Sequence, residues 1–155
     1  MTLVKQPFHV GLVVENVETS MDELTRALGV SWGRIQRKTL TMESTRGTAP
    51  VSVCYAYSVD GPPYLELIER RDGSVFDTVG LHHIGVWTDD PASESARLDD
   101  MGWPRESVII TGEGGWGGGL FHTGPAALRL ELVDIARSGP RLINYLGGGD
   151  YALPS

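Results

Sequence analysis

One phrase occurs twice in this chain, and that repetition limits the fold more than any single residue does. Phe8-His9-Val10-Gly11-Leu12-Val13-Val14 returns as His82-His83-Ile84-Gly85-Val86-Trp87-Thr88, each time ahead of a segment with helical spacing. Each copy closes on a strand-like phrase that holds a carboxylate: Tyr64-Leu65-Glu66-Leu67-Ile68 in the first, Leu128-Arg129-Leu130-Glu131-Leu132-Val133 in the second. A duplication inside 155 residues leaves too little chain for two ordinary independent domains, so the halves are expected to share one core. The expectation is a single domain over residues 1–155, with modules at about 7–70 and 80–135 and a tail at 136–155.

Within the first module, residues 8–14 are a valine-rich apolar run that predicts a strand covered on both faces. An Asn or Thr in Glu15-Asn16-Val17-Glu18-Thr19-Ser20 can cap a helix carrying Val17, Met21, Leu24 and Leu28, with Gly29 as its stop. Strands are predicted at 39–42, 51–59 and 64–69, with a polar loop at 43–50 and a turn at Gly61-Pro62-Pro63. The second module repeats the order: strand 82–88, a helix from Pro91 to Met101 before Gly102, then strands 107–111, 120–123 and 128–133. Residues 112–119 hold six glycines in eight positions and read as a hairpin connection rather than a mobile lid carrying Trp116. They lack the Lys-Ser/Thr ending of a phosphate-binding loop. In the tail, Leu142, Ile143, Tyr145 and Leu146 predict a helix packed on the body or on a second subunit.

Strand alternation selects side chains. His9 shares a face with Gly11 and Val13, while Phe8, Val10, Leu12 and Val14 form the better surface for a helix. The same register in the second copy chooses His83, with Gly85 and Trp87, over His82. Glu66 and Glu131 sit between leucines in the closing strands, where burying an unpaired carboxylate costs several kcal/mol. Each glutamate alone is equally readable as a surface carboxylate or as the partner of an arginine such as Arg129. Taken together, two imidazoles and two carboxylates at matching places are the donor set for one divalent metal between the halves. Tyr55, Tyr57, Trp87 and Trp116 are the candidates for an aromatic substrate wall, with core filling as the other reading.

A net charge of −7 with 13 scattered basic residues argues against nucleic acid or an anionic membrane as partner and points to a small molecule. Residues 1–7 have no apolar signal core, and no run approaches the roughly 20 apolar residues that span a bilayer, so a soluble cytoplasmic protein is expected. Cys54, the only cysteine, reads as a small buried hydrophobe. No basic cluster is evident near the enclosed face.

The paired His-hydrophobe-Gly and Leu-Glu-Leu phrases, from Phe8-His9-Val10-Gly11 to Leu130-Glu131-Leu132, resemble the vicinal oxygen chelate superfamily, which includes glyoxalases, methylmalonyl-CoA epimerases, extradiol dioxygenases and bleomycin-resistance proteins. The ligand order is most like that of the epimerases and of glyoxalase I. The resemblance implies an α+β fold of two βαβββ modules forming a cup-shaped, barrel-like mixed sheet with helices outside. It implies one divalent ion (Zn, Ni, Co, Mn or Fe) held by His9, Glu66, His83 and Glu131, and a homodimer. It further implies an epimerase, isomerase or lyase acting on a small oxygen-rich substrate through metal-stabilised enolate chemistry. Glu131 is the first candidate for the base and Glu66 the second. His122, which precedes Glu131 by nine residues as Tyr57 precedes Glu66, is a further proton shuttle candidate. The alternative is a metal-free protein that sequesters a drug or metabolite; such binders commonly lack the four ligands.

Overall fold

Local signals place the helices where the sequence predicts them. The computed structural model describes residues 5–152. The Asn16 side chain accepts a hydrogen bond from the Thr19 amide at 2.8 Å and starts α1, Val17–Leu28, which ends at Gly29 with φ 74°. Asp90 does the same for the Ser93 amide, and Pro91 opens α2, Pro91–Asp100. Ahead of and after α1 lie β1 His9–Val14, β2 Gln36–Ser44, β3 Gly47–Tyr57 and β4 Tyr64–Glu69. Around α2 lie β5 Gly80–Thr88, β6 Arg105–Ile110, β7 Trp116–Thr123 and β8 Arg129–Asp134, followed by α3 Ile135–Leu146.

The fold is α+β: the eight strands form a closed mixed barrel in the order β1-β4-β3-β2-β6-β7-β8-β5. β1 runs parallel to β4 and β5 to β8, while the equivalent strands of the two halves meet antiparallel at two seams, β1 against β5 and β2 against β6. Helices α1 and α2 lie outside, as expected, but α3 does not: its Tyr145 packs with Tyr55 and Tyr57 of the inward set, and its Arg137 and Arg141 line the enclosed cavity. Met21 and Leu24 of α1 pack with buried Val17 against Leu12, Val14, Cys54 and Leu67, and Leu98 of α2 packs against Val86, Val108, Leu120 and Leu132. This is the outward-facing set of the alternation. Val13, Tyr55, Tyr57, Ile68 and Phe121 form the inward set.

Two predicted loops are largely strand. Residues 43–50 continue β2 and β3 as a hairpin, with Glu43 paired to Thr48 and Ser44 to Gly47. Beyond buried Met42 the hairpin projects into solvent, with every residue from 43 to 50 exposed except half-buried Ser44, and Gly47 at φ 106° permits the tight turn. In the glycine-rich stretch β7 already begins at Trp116, leaving a turn in which the Gly115 carbonyl accepts from Thr111 N–H at 2.7 Å. The C-terminal helix packs on its own barrel: the Tyr145 hydroxyl accepts from the Tyr57 amide and donates to the Arg34 carbonyl, both at 2.9 Å. Among the described residues no helix is long and apolar enough to cross a membrane.

Candidate metal centre

The repeated His-x-Gly phrase has a reciprocal steric meaning. In the antiparallel pairing of β1 with β5, His9 lies opposite Gly85 and Gly11 opposite His83. A Cβ on Gly85 would overlap the His9 imidazole, and one on Gly11 would overlap that of His83, so each copy's glycine makes room for the other copy's histidine. The parallel neighbours then place Glu66 beside Gly11 and Glu131 beside Gly85. Gly119 of β7 leaves the space that the Glu131 carboxylate fills. Clearance for side chains, rather than flexibility, accounts for glycines at these positions. Gly85→Ala is expected to cost about 3 kcal/mol or more through overpacking and to displace His9, measured as a lower denaturation midpoint; an unchanged midpoint would show that the ring has room to move.

Four side chains converge at this seam. His9, Glu66, His83 and Glu131 each offer one donor atom, and these atoms lie within 4.8 Å of one another. The two Nε2 atoms are 2.8 Å apart. His9 Nε2 lies 2.9 Å from Glu131 Oε2 and 3.3 Å from Glu66 Oε2, and His83 Nε2 lies 3.1 Å from both. Metal–ligand bonds of about 2.0–2.2 Å put adjacent ligand atoms roughly 2.8–3.6 Å apart for octahedral or tetrahedral angles, and every one of these distances falls in that interval. His9 and His83 are 0% and 1% exposed, so any cation here, proton or metal, is shielded from bulk water.

Charge balance gives the same picture from the proton side. Burial pulls His9 toward its neutral form, but hydrogen bonds and attraction from Glu131 and Glu66 outweigh it and hold its pKa up at about 9. His83 is raised by the same carboxylates against the same burial. Burial raises both glutamates, yet the two imidazoles bring each of them below the usual carboxylate range. Without metal the cluster therefore holds protons on nitrogen and negative charge on oxygen. A divalent ion replaces those protons at equal charge, so the residues present fit a divalent ion.

His82 aims one of the donors. Its Nε2–H donates to the Val75 carbonyl at 2.7 Å, which leaves its Nδ1 bare to accept from His83 Nδ1–H at 2.9 Å. Burial and the neighbouring His83 hold the His82 pKa at about 4, so it is neutral near pH 7. The consequence for neutral His83 is a lone pair on Nε2, directed at the cluster. The alternation that selected His83 assigned no role to its neighbour; the doubled histidine was the available signal. His82→Leu is expected to weaken metal binding by about 10–100-fold, measured by competition with a chelating dye; unchanged affinity would remove His82 from this role.

The other candidates separate. Glu66, His83, Glu131, Tyr55 and Tyr57 line a cavity of about 370 Å³, with Phe121 and Tyr151 completing an aromatic wall. Burial first, and then the nearby Glu66, push the Tyr55 and Tyr57 phenols well above their ordinary value, so both stay protonated donors. Trp87 lies outside this lining: it stacks on Phe8 at 3.7 Å between ring centroids, in a cluster with Val133 and Leu142. Trp116 packs on the outer layer with Arg105 over its ring. His122 is also on the outer face, where its imidazole bonds Ser95 Oγ at 2.8 Å and the Trp103 carbonyl at 2.7 Å. Phe121, not His122, stands opposite Glu131 as Tyr57 stands opposite Glu66, because the second connection is one residue longer. Lys38, Arg137 and Arg141 line the cavity too, a basic group that the sequence does not reveal.

Residues 8–117 match the family model of the glyoxalase/bleomycin resistance protein/dioxygenase superfamily. The chain is similar in fold to methylmalonyl-CoA epimerase of Streptomyces coelicolor, in a variant solved with 2-nitronate-propionyl-CoA, at 15% identity, TM-score 0.56, covering 88% of this chain and 99% of that one. Methylmalonyl-CoA epimerase from Mycobacterium tuberculosis matches at 15% identity and TM-score 0.57, with 82% and 85% covered. A mutant of 4-hydroxymandelate synthase from Streptomyces coelicolor matches at 14% identity and TM-score 0.53, with 83% and 47% covered. At these identities the likeness is one of fold. No curated protein matches the sequence.

Proposed function

The chain belongs to the glyoxalase/bleomycin resistance protein/dioxygenase superfamily, and from that premise we propose that it is a divalent-metal-dependent enzyme of the epimerase, isomerase or lyase type. Its substrate is a small oxygen-rich molecule that loses a proton from a carbon next to a carbonyl. The observation that carries this reading is the convergence of His9, Glu66, His83 and Glu131, the last three of which line a cavity of about 370 Å³. Bound there, a divalent ion supplies Lewis-acid polarisation of a chelated carbonyl oxygen and so stabilises the negative charge that develops when the adjacent carbon is deprotonated.

The chain's own groups supply the rest. His9 and His83 hold the ion through nitrogen, and the Val75–His82–His83 hydrogen bonds fix one of the two rings. Glu131 is the favoured base: its second carboxylate oxygen lies against Gly119, on the stretch of β7 that faces the cavity, whereas Glu66 is 8% exposed under Tyr57. Its ionised state at neutral pH leaves it free to accept a proton. Tyr55 and Tyr57 donate hydrogen bonds to substrate oxygens and keep the wall apolar elsewhere.

The test is elemental analysis of protein purified without chelator, followed by deuterium exchange into an α-keto acid probe in heavy water. One equivalent of divalent metal and metal-dependent exchange are expected. No stoichiometric metal, together with no thermal stabilisation on adding Mn²⁺, Co²⁺, Ni²⁺ or Zn²⁺, overturns the reading in favour of a metal-free binding protein.

A further inference from the structure

The basic residues of this chain are distributed unevenly with respect to their partners. Of the 13 lysines and arginines, nine have a carboxylate within 4.0 Å. Among the described residues Arg26, Lys38, Arg137 and Arg141 have none, and the last three of these line the cavity. The Arg141 Nε is buried without a hydrogen-bond partner. Lys38 donates to the Tyr151 carbonyl at 2.5 Å and lies over the rings of Tyr55 and Tyr151. Burial, and then Arg141, lower its pKa, so Lys38 and Arg141 are close enough to repel one another.

Their place along the barrel wall is also defined. Tyr57 pairs with Glu66, whereas Lys38 pairs with Val53, four residues back along β3. At about 3.3 Å per residue Lys38 is rooted roughly 13 Å from Glu66, and α3 contributes Arg137 and Arg141 to the same cavity. Glu66 and Glu131 are occupied with the two histidines, so they do not neutralise this group. Lys38 and Arg141, partly desolvated cations that repel one another, face one cavity with the more exposed Arg137, and an anion that enters it stabilises them.

We propose that Lys38, Arg137 and Arg141 form an oxyanion subsite, and that the substrate carries a carboxylate or phosphate group at the end away from the oxygens held at the His/Glu cluster. This rests on the enzyme reading above and narrows its substrate to bifunctional anions. Arg141 is the central residue, since its guanidinium forms paired hydrogen bonds to a planar or tetrahedral oxyanion.

Calorimetric titration of the chain with α-ketoglutarate and α-ketovalerate tests the subsite, because the two share a five-carbon α-keto acid and differ in the distal carboxylate. Mn²⁺ uptake is measured first, and its absence overturns the metal-enzyme reading alone; the same two probes are then titrated against the metal-free chain, where charge preference is still read. The expected result is a preference of about ten-fold or more for α-ketoglutarate, reduced to less than about three-fold in Arg141→Gln and partly restored in Arg141→Lys. The phosphonate that replaces the distal carboxylate of α-ketoglutarate distinguishes the two anions: the tighter of the pair identifies the natural group. Equal affinity for the probes with and without a distal anionic group, no binding of either probe that carries one, or a preference that survives in the Lys38→Gln/Arg141→Gln double variant overturns the subsite.

Discussion

Glu131→Gln is expected to reduce turnover by about 10²–10⁴-fold while leaving much of the metal affinity in place. The amide keeps a carbonyl oxygen near the two imidazoles, which Glu131 now approaches at 2.9 Å and 3.1 Å, but it cannot accept a proton from carbon. Glu66→Gln is the internal comparison, because Glu66 meets the same nitrogens at 3.3 Å and 3.1 Å but lies opposite Tyr57 rather than beside the glycines of β7. Exchange of the substrate's α-hydrogen with solvent, measured at saturating Mn²⁺, reports the proton step directly. If both variants lose exchange only in proportion to lost metal, Glu131 is a ligand and not the base.

The second large effect is the loss, on loading with metal, of a decline in stability above pH 6.5. In the metal-free chain His9 is raised from 6.5 to about 9, so its contribution to stability is fully present below pH 6.5 and is lost as pH rises through 9. The glutamates, lowered from 4.5, contribute above pH 4.5 and lose that contribution as pH falls through their folded values. His82, lowered to about 4, resists the proton that the unfolded chain takes up below 6.5, so it destabilises the fold as pH falls from 6.5 toward 4. The chelator-treated protein should therefore be most stable near pH 6.5 and weaken toward pH 9. An ion needs both imidazoles bare, so the stabilisation it adds grows over the same interval and reaches about 4 kcal/mol when free metal exceeds its Kd a thousand-fold. Thermal melts at pH 6, 7, 8 and 9, with EDTA and with Mn²⁺, measure both curves. A metal-induced shift that is constant across this range, or a chelated protein more stable at pH 9 than at 6.5, would contradict the exchange of protons for metal.

Much of this site is legible in the repeat. Period-two alternation brings His83 to the cluster and places each glutamate on the face opposite its leucine neighbours, because a strand has only two faces and the helix claims one; it misplaces His82, which falls at a register shift in β5 and keeps its ring against those of His83 and Phe121. The same logic fails wherever a count crosses a connection. Nine residues separate both Tyr57 from Glu66 and His122 from Glu131, yet one extra residue between β7 and β8 turns His122 outward and gives Phe121 the inner position. Alternation correctly keeps Trp87 on the side of Gly85, but it carries no information on how far along the strand the cavity extends, and Phe8 covers the ring there.

The duplicated phrases, read as residues alone, establish the two-fold plan: two strand-helix-strand-strand-strand units and four chemically matched side chains, each pattern being local and therefore written in neighbouring residues. What only the closed barrel decides is which distant residues share a space. His9 meets Gly85 and Glu131 meets Gly119 through the register of strands far apart in the chain, and Lys38 of β2 comes to share a cavity with Arg141 of α3. Register between such strands depends on packing and closure across the whole sheet, which no local period encodes.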